Sequence, residues 1–192
     1  MDLNELYRRT VETWTRRVDA VQPDQWDSPT PCTEWTVRDL VGHVVGEDAW
    51  TMPLMRGSTI EEVGSSLDGD LLGDRPVEVA TGTAEEAVRV VSEILPHGGT
   101  VHLSYGEEDA GEYVSQLAAD HLVHAWDLAA ATSGDTTLDP DLVDGVAAWF
   151  AEREEIYRSA GAIGPRTDDD GDPQARLLAA FGRSAAWTPP QP

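Results

Sequence analysis

Apolar residues recur at three- and four-residue steps along the first third of the chain, which is the pattern of amphipathic helices. The first such stretch spans residues 3–21 and stops at Pro23. The second begins near Thr36, which has capping-box spacing to Asp39, and runs to position 57. The sequence therefore predicts two long helices here, joined by a loop that is rich in proline.

The middle of the chain predicts a long crossover connection. Residues 57–82 are rich in Gly and Asp and carry a short helical pattern over 59–67. Thr83 then has the chemistry of an N-cap for a third helix, which Pro96 ends. Apolar residues alternate over 101–105, which indicates a short strand with no evident partner.

The last third of the chain predicts more helix. A long segment over 112–131 contains neither Gly nor Pro, and Gly134 follows it as a stop signal. A fifth helix is predicted from Pro140 to Tyr157, and a short terminal helix over 174–183. The fold class expected is all-α: a four-helix bundle with a long crossover connection and extra C-terminal helices.

The same pattern fixes the expected domain organisation. A chain of 192 residues fits one domain, and we expect it to cover residues 1–183. Residues 184–192 are expected to be a flexible tail. The apolar faces of the fifth and terminal helices could complete the core or serve a homodimer.

Composition excludes several classes of function. The 13 basic residues, all of them Arg, stand against 36 acidic ones and give a formal charge of −23. Such a charge repels phosphate backbones, so no nucleic-acid partner is expected. No stretch approaches the roughly 20 apolar residues of a membrane helix, and the first residues lack the pattern of a secretion signal. We therefore expect a cytoplasmic protein with no membrane partner, and the lone Cys32 excludes an internal disulfide.

Three polar residues lie on faces that should be buried. His43 stands among apolar residues of the second helix, and Asp120 and His124 are four residues apart on the fourth helix. If these two helices pack together, two imidazoles and one carboxylate meet, and that donor set suits a first-row divalent metal. Three protein ligands leave a coordination position open, which is typical of catalytic sites.

Two neighbours are candidates for proton transfer at that site. Glu47 is one turn beyond His43 and could orient a ligand or accept a proton; the alternative is a solvated helix face. His121 is about a hundred degrees around the helix from Asp120 and could support the site or pack elsewhere. Cys32 is interpreted as a small buried side chain rather than as a nucleophile.

Three segments resemble a known family. Residues 30–44 (TPCTEWTVRDLVGHV) and 117–129 (LAADHLVHAWDLA) look like the two signatures of the mycothiol-dependent maleylpyruvate isomerase N-terminal domain family, within the DinB-like superfamily. Residues 171–183 (GDPQARLLAAFGR) resemble the C-terminal motif of a single-domain subgroup. The resemblance covers nearly the whole chain.

The resemblance implies a DinB-like four-helix bundle that binds a divalent metal, zinc first and nickel second. Its metal-binding positions match His43, Asp120 and His124, with Asp120 standing where the isomerase has Glu. It also implies a small-molecule substrate and a low-molecular-weight thiol such as mycothiol. The leading hypothesis is a metal-dependent S-transferase or isomerase that acts on a small electrophile. The alternatives are a metal-dependent hydrolase and a bundle that binds a metal or small ligand without turnover.

Overall fold

The computed structural model describes residues 1–168 and 171–190 of the chain. Within these ranges the secondary structure is mainly helical, as predicted, and includes one two-stranded hairpin. The helices are α1 (Leu3–Asp19), α2 (Val37–Met55), α3 (Ile60–Val63), α4 (Pro76–Ile94), α5 (Ala110–Ala131), α6 (Pro140–Phe150), α7 (Glu154–Ser159) and α8 (Pro173–Ala180). The strands are β1 (Thr100–Leu103) and β2 (Gly106–Asp109).

Four long helices form the bundle. Helix α1 packs against α5 and α4, and α2 packs against α4 and α5, so the four enclose an interior that holds two clusters of buried hydrophobic residues. Helix α5 is at the centre, because α6 also lies against it and 17 of its residues are buried. A helix that is buried on nearly all sides reads as apolar throughout, so any polar side chain on α5 needs a partner.

The crossover between α2 and α4 is shorter than the sequence predicts, and the predicted start of the third helix at Thr83 is wrong. Helix α4 begins at Pro76, which occupies its first turn. Ala80 and Ala84 are fully buried at helical spacing. Gly82 lies inside this helix and lowers its propensity by about 1 kcal/mol relative to Ala without ending it.

The predicted strand has a partner. Strands β1 and β2 pair antiparallel, from Thr100 opposite Asp109 to Leu103 opposite Gly106, across a two-residue turn. Strand β2 has the sequence GEED, whose residue types are rare in strands. The sequence pattern therefore did not predict a strand at these positions.

The predicted fifth helix is two helices. Helix α6 ends at Phe150 and α7 follows from Glu154, with Arg153 between them bound to Glu112 of α5. As a result the buried face of α6 does not continue into α7, and Ile156 is 65% exposed.

The C-terminal segment contacts the body of the molecule. Trp187, inside the predicted tail, packs partly buried against the main core cluster. Positions 191 and 192 of that tail lie outside the described residues, and the domain boundary at 183 stays a prediction. In the part of the chain that is described, no helix is long and apolar enough to cross a membrane.

Candidate functional site

The three candidate metal ligands come together between α2 and α5. Nε2 of His43 lies 3.5 Å from Oδ2 of Asp120, and Nε2 of His124 lies 3.2 Å from Oδ1 of Asp120. Each residue offers one donor atom within 4.8 Å of the other two. The structure therefore places at one point the residues that the sequence assigned to two separate helices.

Local signals explain this convergence. Helix α2 starts with a complete capping box between Thr36 and Asp39, which sets where the helix begins and hence which face carries His43. Asp120 and His124 are one turn apart on α5, so their side chains emerge on the same side. Packing of α2 against α5 then brings the two faces into contact.

The residues fit a divalent cation. Oδ2 of Asp120 is buried and has no hydrogen-bond partner among the described residues, since the 3.5 Å approach of His43 does not form a hydrogen bond. A buried carboxylate oxygen without a partner is costly. A cation held by two imidazole nitrogens and this oxygen would satisfy it, and the donor set is one that zinc and nickel accept.

The charges of the cluster are strongly coupled. Burial raises the pKa of Asp120, but the close approach of the His124 and His43 imidazoles, with His124 the stronger influence, outweighs burial and holds that pKa well below its ordinary value. Burial lowers the pKa of His124, yet Asp120 and Asp127 raise it well above its usual range. The site is therefore a carboxylate surrounded by groups that stabilise its negative charge.

A second set of polar groups lies behind His124. Nδ1 of His124 is 2.9 Å from Oδ2 of Asp127, and an ionised carboxylate can only accept, so Nδ1 donates and Nε2 is left for the cluster. Arg183 donates from Nη2 to the same oxygen of Asp127 at 2.9 Å. The thiol of Cys32 donates to that oxygen at 3.3 Å and accepts from Arg183 at 3.4 Å.

The end of α8 positions Arg183. Gly182 has φ +76°, a conformation that favours glycine, and a Cβ there would lie 3.1 Å from the carbonyl oxygen of Pro165. Its amide donates to Ala179 and the amide of Arg183 donates to Leu178, which is the Schellman pattern. The chain therefore turns at Gly182, and Arg183 points back to α5.

His121 faces away from the metal cluster. Its Nδ1 donates to the carbonyl of Leu117 at 2.8 Å, and its Nε2 lies 3.2 Å from Oδ1 of Asp48; both side chains are fully buried. Burial lowers the pKa of His121, but the charge of Asp48 outweighs it, so the pKa is raised. The ring of Tyr7 meets His121 edge-on at 5.7 Å.

A cavity of about 610 Å³ opens beside the cluster. Glu47 lines it, and His121 is not among its lining residues. Burial and the charge of Asp120 raise the pKa of Glu47. The ring of Trp35 lies 5.0 Å from that of His43 and covers one side of the cluster. Aromatic side chains supply much of the remaining wall: Tyr113, Trp149, Tyr157 and Phe181.

Sequence reasoning missed part of this site. Cys32 was expected to be buried and chemically silent, whereas it is partly exposed and lines the cavity. Asp127 could have been found, because it is three residues from His124 and so shares its face. Arg183 could not have been found, because it follows the end of α8 and the local pattern does not predict how that helix packs.

The fold defines the class of protein. The structure aligns with the crystal structure of the mycothiol-dependent maleylpyruvate isomerase at a TM-score of 0.66 and 16% identity, over 97% of this chain and 91% of the isomerase chain. A histidine-to-alanine mutant of that isomerase aligns at a TM-score of 0.60 and 16% identity, over 86% of this chain and 75% of the other. At this identity the likeness shows the fold alone, which is a helical bundle.

The sequence defines the family. Residues 7–129 match the family described as the mycothiol maleylpyruvate isomerase N-terminal domain. The chain belongs to this family, as its signatures predicted. Two uncharacterized proteins of Mycobacterium tuberculosis, Rv0738 from strain H37Rv and MT0763 from strain CDC 1551, are each 32% identical over 190 residues. Each of these matches covers 94% of this chain and 97% of the relative.

Proposed function

We propose that the protein is a metal-dependent enzyme that uses a low-molecular-weight thiol, of the mycothiol type, to transfer sulfur to or isomerise a small electrophilic molecule. One observation carries this: His43, Asp120 and His124 bring their donor atoms within 4.8 Å of one another at the wall of a cavity. Membership of the family, and the fold shared with a mycothiol-dependent isomerase, support the choice of thiol.

His43, Asp120 and His124 would hold the metal, with zinc as the first candidate and nickel as the second. When bound, a divalent cation lowers the pKa of a coordinated thiol and so makes a thiolate available at neutral pH. Three protein ligands leave room for such an external ligand. Asp127 fixes the ring of His124 by accepting from Nδ1.

Glu47 is the proposed proton acceptor. It lies in the cavity wall one turn from His43, and its raised pKa brings it closer to the range where a carboxylate exchanges protons near neutral pH. It would take the proton of the incoming thiol and return it to the product. His121 is proposed as a positioning residue, because its ring pairs with Asp48, the chain neighbour of Glu47, behind the cavity.

The aromatic wall would hold the electrophile. Tyr113, Trp149 and Phe181 present apolar surface next to the cluster, and Trp35 covers its other side. Aromatic rings of this kind bind flat or apolar molecules and keep water from the reacting atoms.

Metal analysis of untagged protein tests the proposal first. We expect about one zinc or nickel ion per chain, and loss of that ion in His124→Ala. His97→Ala is the matched control, because His97 is exposed and belongs neither to the candidate ligand groups nor to the cavity lining. The metal site would be contradicted if the unchanged protein held no metal and if His124→Ala did not change the affinity for added zinc.

Turnover tests the chemistry. The metal-loaded protein is mixed with mycothiol and a panel of small electrophiles, and thiol and electrophile are followed separately. We expect the unchanged protein to consume or isomerise an electrophile only when mycothiol is present. The His124→Ala variant should not catalyse this reaction. Loss of electrophile without any need for thiol would instead identify a hydrolase, and no turnover with metal loaded would leave only a binding role.

A further inference from the structure

A second space adjoins the cavity and lies outside the candidate metal site. This groove, of about 1100 Å³, lies between the β1–β2 hairpin and α7. It shares Gln116 and Tyr157 with the cavity, so the two spaces meet at α5. The imidazoles of His43 and His124 line the cavity and not the groove, and none of the described residues that line the groove is a histidine. The charge of the groove is therefore set by other side chains.

Among the described residues that line the groove, Arg153 is the only basic one, and it is neutralised within the protein. Its Nε donates to both oxygens of Glu112, at 2.7 and 3.0 Å, and its Nη1 donates to the carbonyl of Trp149 at 3.2 Å. The indole of Trp149 also donates to Glu112, at 3.1 Å. The pair of Arg153 and Glu112 therefore adds almost no net charge to the groove.

Three further carboxylates make the groove negative. Glu108, Asp109 and Glu152 line it beside that ion pair, so four carboxylates stand against one guanidinium and the formal charge is −3. Glu152 approaches Arg153 at 3.5 Å, whereas Glu108 and Asp109 form no ion pair with any residue that the structure describes. Their partners are backbone amides: Glu108 accepts from Asp109 at 3.0 Å, and Asp109 accepts from Gly111 at 2.8 Å. Two negative charges are thus left without a counter-charge.

Glu108 lies on the inner face of the hairpin. It stands opposite Val101, which is buried, while its neighbour Glu107 stands opposite His102. Because side chains alternate along a strand, Glu108 is on the face turned toward the helices and Glu107 is on the other face. Glu108 is accordingly partly buried and Glu107 is exposed. A partly buried carboxylate without a counter-charge is unfavourable, and a bound cation would satisfy it.

Exposed apolar side chains form other parts of the groove wall. Tyr105 and Ile156 are 66% and 65% exposed, and together with Met1 they are the exposed large hydrophobic side chains of the described residues. The hydroxyl of Tyr105 accepts from Nε2 of Gln116 at 3.0 Å, which holds this exposed side chain against α5. Tyr157 adds a second tyrosine ring. The groove therefore combines aromatic rings with uncompensated negative charge, and an organic cation is attracted to both.

We propose that this groove binds a small organic cation: a protonated amine that carries an aromatic or aliphatic group. The ammonium lies between Glu108 and the tyrosine rings, where charge attraction and cation–π contact act together. The apolar group covers Tyr105 and Ile156, which are otherwise exposed to water. The inference goes beyond the proposed function, because it assigns a ligand to the groove and requires neither a metal nor turnover.

Matched ligands test the charge and the apolar group separately. Phenethylamine is positively charged at neutral pH and carries a ring. Phenethyl alcohol has nearly the same shape without the charge, and ethylamine has the charge without the ring. Their affinities for the full chain are measured by calorimetry and ligand-observed NMR after chelation, so that no amine can coordinate a metal at the cluster. We expect phenethylamine to bind about tenfold more tightly than either of the others, which corresponds to about 1.4 kcal/mol.

Substitutions locate the binding site. Glu108→Gln is expected to weaken phenethylamine binding by about threefold or more, because it removes a negative charge that has no counter-charge. Glu107→Gln is the matched control, since it removes the same charge from the outer face of the same strand, and it should change the affinity by less than about twofold. Tyr105→Ala should weaken binding by about threefold through loss of the ring. Thermal unfolding of the three variants checks that they fold.

Several results would overturn the inference. Equal or tighter binding of phenethyl alcohol, or binding of none of the three compounds, would remove the cation site. A loss in Glu108→Gln no larger than that in Glu107→Gln would show attraction to the net charge of the whole protein instead. An affinity that falls in Glu47→Gln but not in Glu108→Gln would place the amine in the cavity. Binding is measured on metal-free protein, so this inference and the proposed metal chemistry can each fail alone.

Discussion

At the scale of single residues, His124 determines the character of the site, because its two ring nitrogens face different partners. Nε2 faces Asp120 in the cluster of candidate metal ligands, and Nδ1 donates to Asp127. The tautomer that leaves Nε2 free for a metal is therefore set by Asp127. Arg183 in turn holds Asp127 in place, so the orientation of the ligand depends on residues that do not touch the metal position.

Asp127→Asn is expected to weaken zinc binding by about 10- to 100-fold, because an amide no longer selects the Nδ1–H tautomer of His124 as strongly. Competition with a chromogenic chelator measures this affinity. Asp144→Asn, which removes the same charge from an exposed position on α6, should leave it unchanged. Equal zinc affinity in Asp127→Asn and in the unchanged protein would show that the tautomer is fixed by other groups.

Cys32 allows the two overlapping ligand sets to be distinguished. Cys32, His124 and Asp127 also bring donor atoms within 4.8 Å of one another, but Arg183 already supplies the positive charge at that point. We therefore expect Cys32→Ala to change zinc affinity by less than about threefold, while Asp120→Ala reduces it by more than tenfold. A larger loss of zinc affinity in Cys32→Ala than in Asp120→Ala would instead assign the metal to Cys32, His124 and Asp127.

At the scale of elements, the start of α2 is the most locally determined feature near the site. The carboxylate of Asp39 accepts from the amide of Thr36 at 2.9 Å and from its hydroxyl at 2.6 Å. Chiefly because of the hydrogen bond from the Thr36 side chain, the pKa of Asp39 is lowered. The cap ties the proline-rich loop to the helix that carries His43.

This cap predicts a pH dependence. A carboxylate whose pKa is lower in the folded state adds stability above its unfolded-state pKa of about 4, and this stability is lost as the pH falls through the folded-state value. Asp39→Asn should therefore cost about 0.5 kcal/mol of unfolding free energy at pH 7 and less below pH 4. Urea unfolding measures the difference, with Asp24→Asn at an exposed position as the control. A cost that grows toward low pH would contradict the assignment.

Elements were predictable where the signal is local. The helix boundaries at Thr36 and at Pro140 follow from caps and prolines and lie where the sequence placed them. Strand β2 was not predictable, because its pairing with β1 overrides a poor intrinsic preference. The break before α7 coincides with the ion pair of Arg153 and Glu112, a tertiary contact between residues 41 positions apart that local sequence does not predict.

At the scale of the whole molecule, the site joins two helices that are distant in the chain. The trio of candidate ligands was predictable, because helical spacing placed each residue on an inward face and the bundle brings the faces together. The contact of Arg183 with Asp127 was not predictable, because the two residues are 56 positions apart in the chain. The proposed metal position would thus bridge α2 and α5, with His43 on one side and Asp120 and His124 on the other.

A metal that bridges two helices of the folded state should stabilise the whole bundle. At a free concentration 100 times the dissociation constant, zinc is expected to add about 2.7 kcal/mol to the free energy of unfolding. For a chain of this size that corresponds to a rise in Tm of roughly 5 to 10 °C. Calorimetry with and without a chelator measures the rise. His43→Ala removes the α2 side of the bridge, so this variant should lose most of the zinc-dependent rise in Tm. His97→Ala should keep the rise. Each variant is compared with its own metal-free form. If His43→Ala retained the full rise, the metal would be held by α5 alone, and the bundle would gain its stability without a bridge.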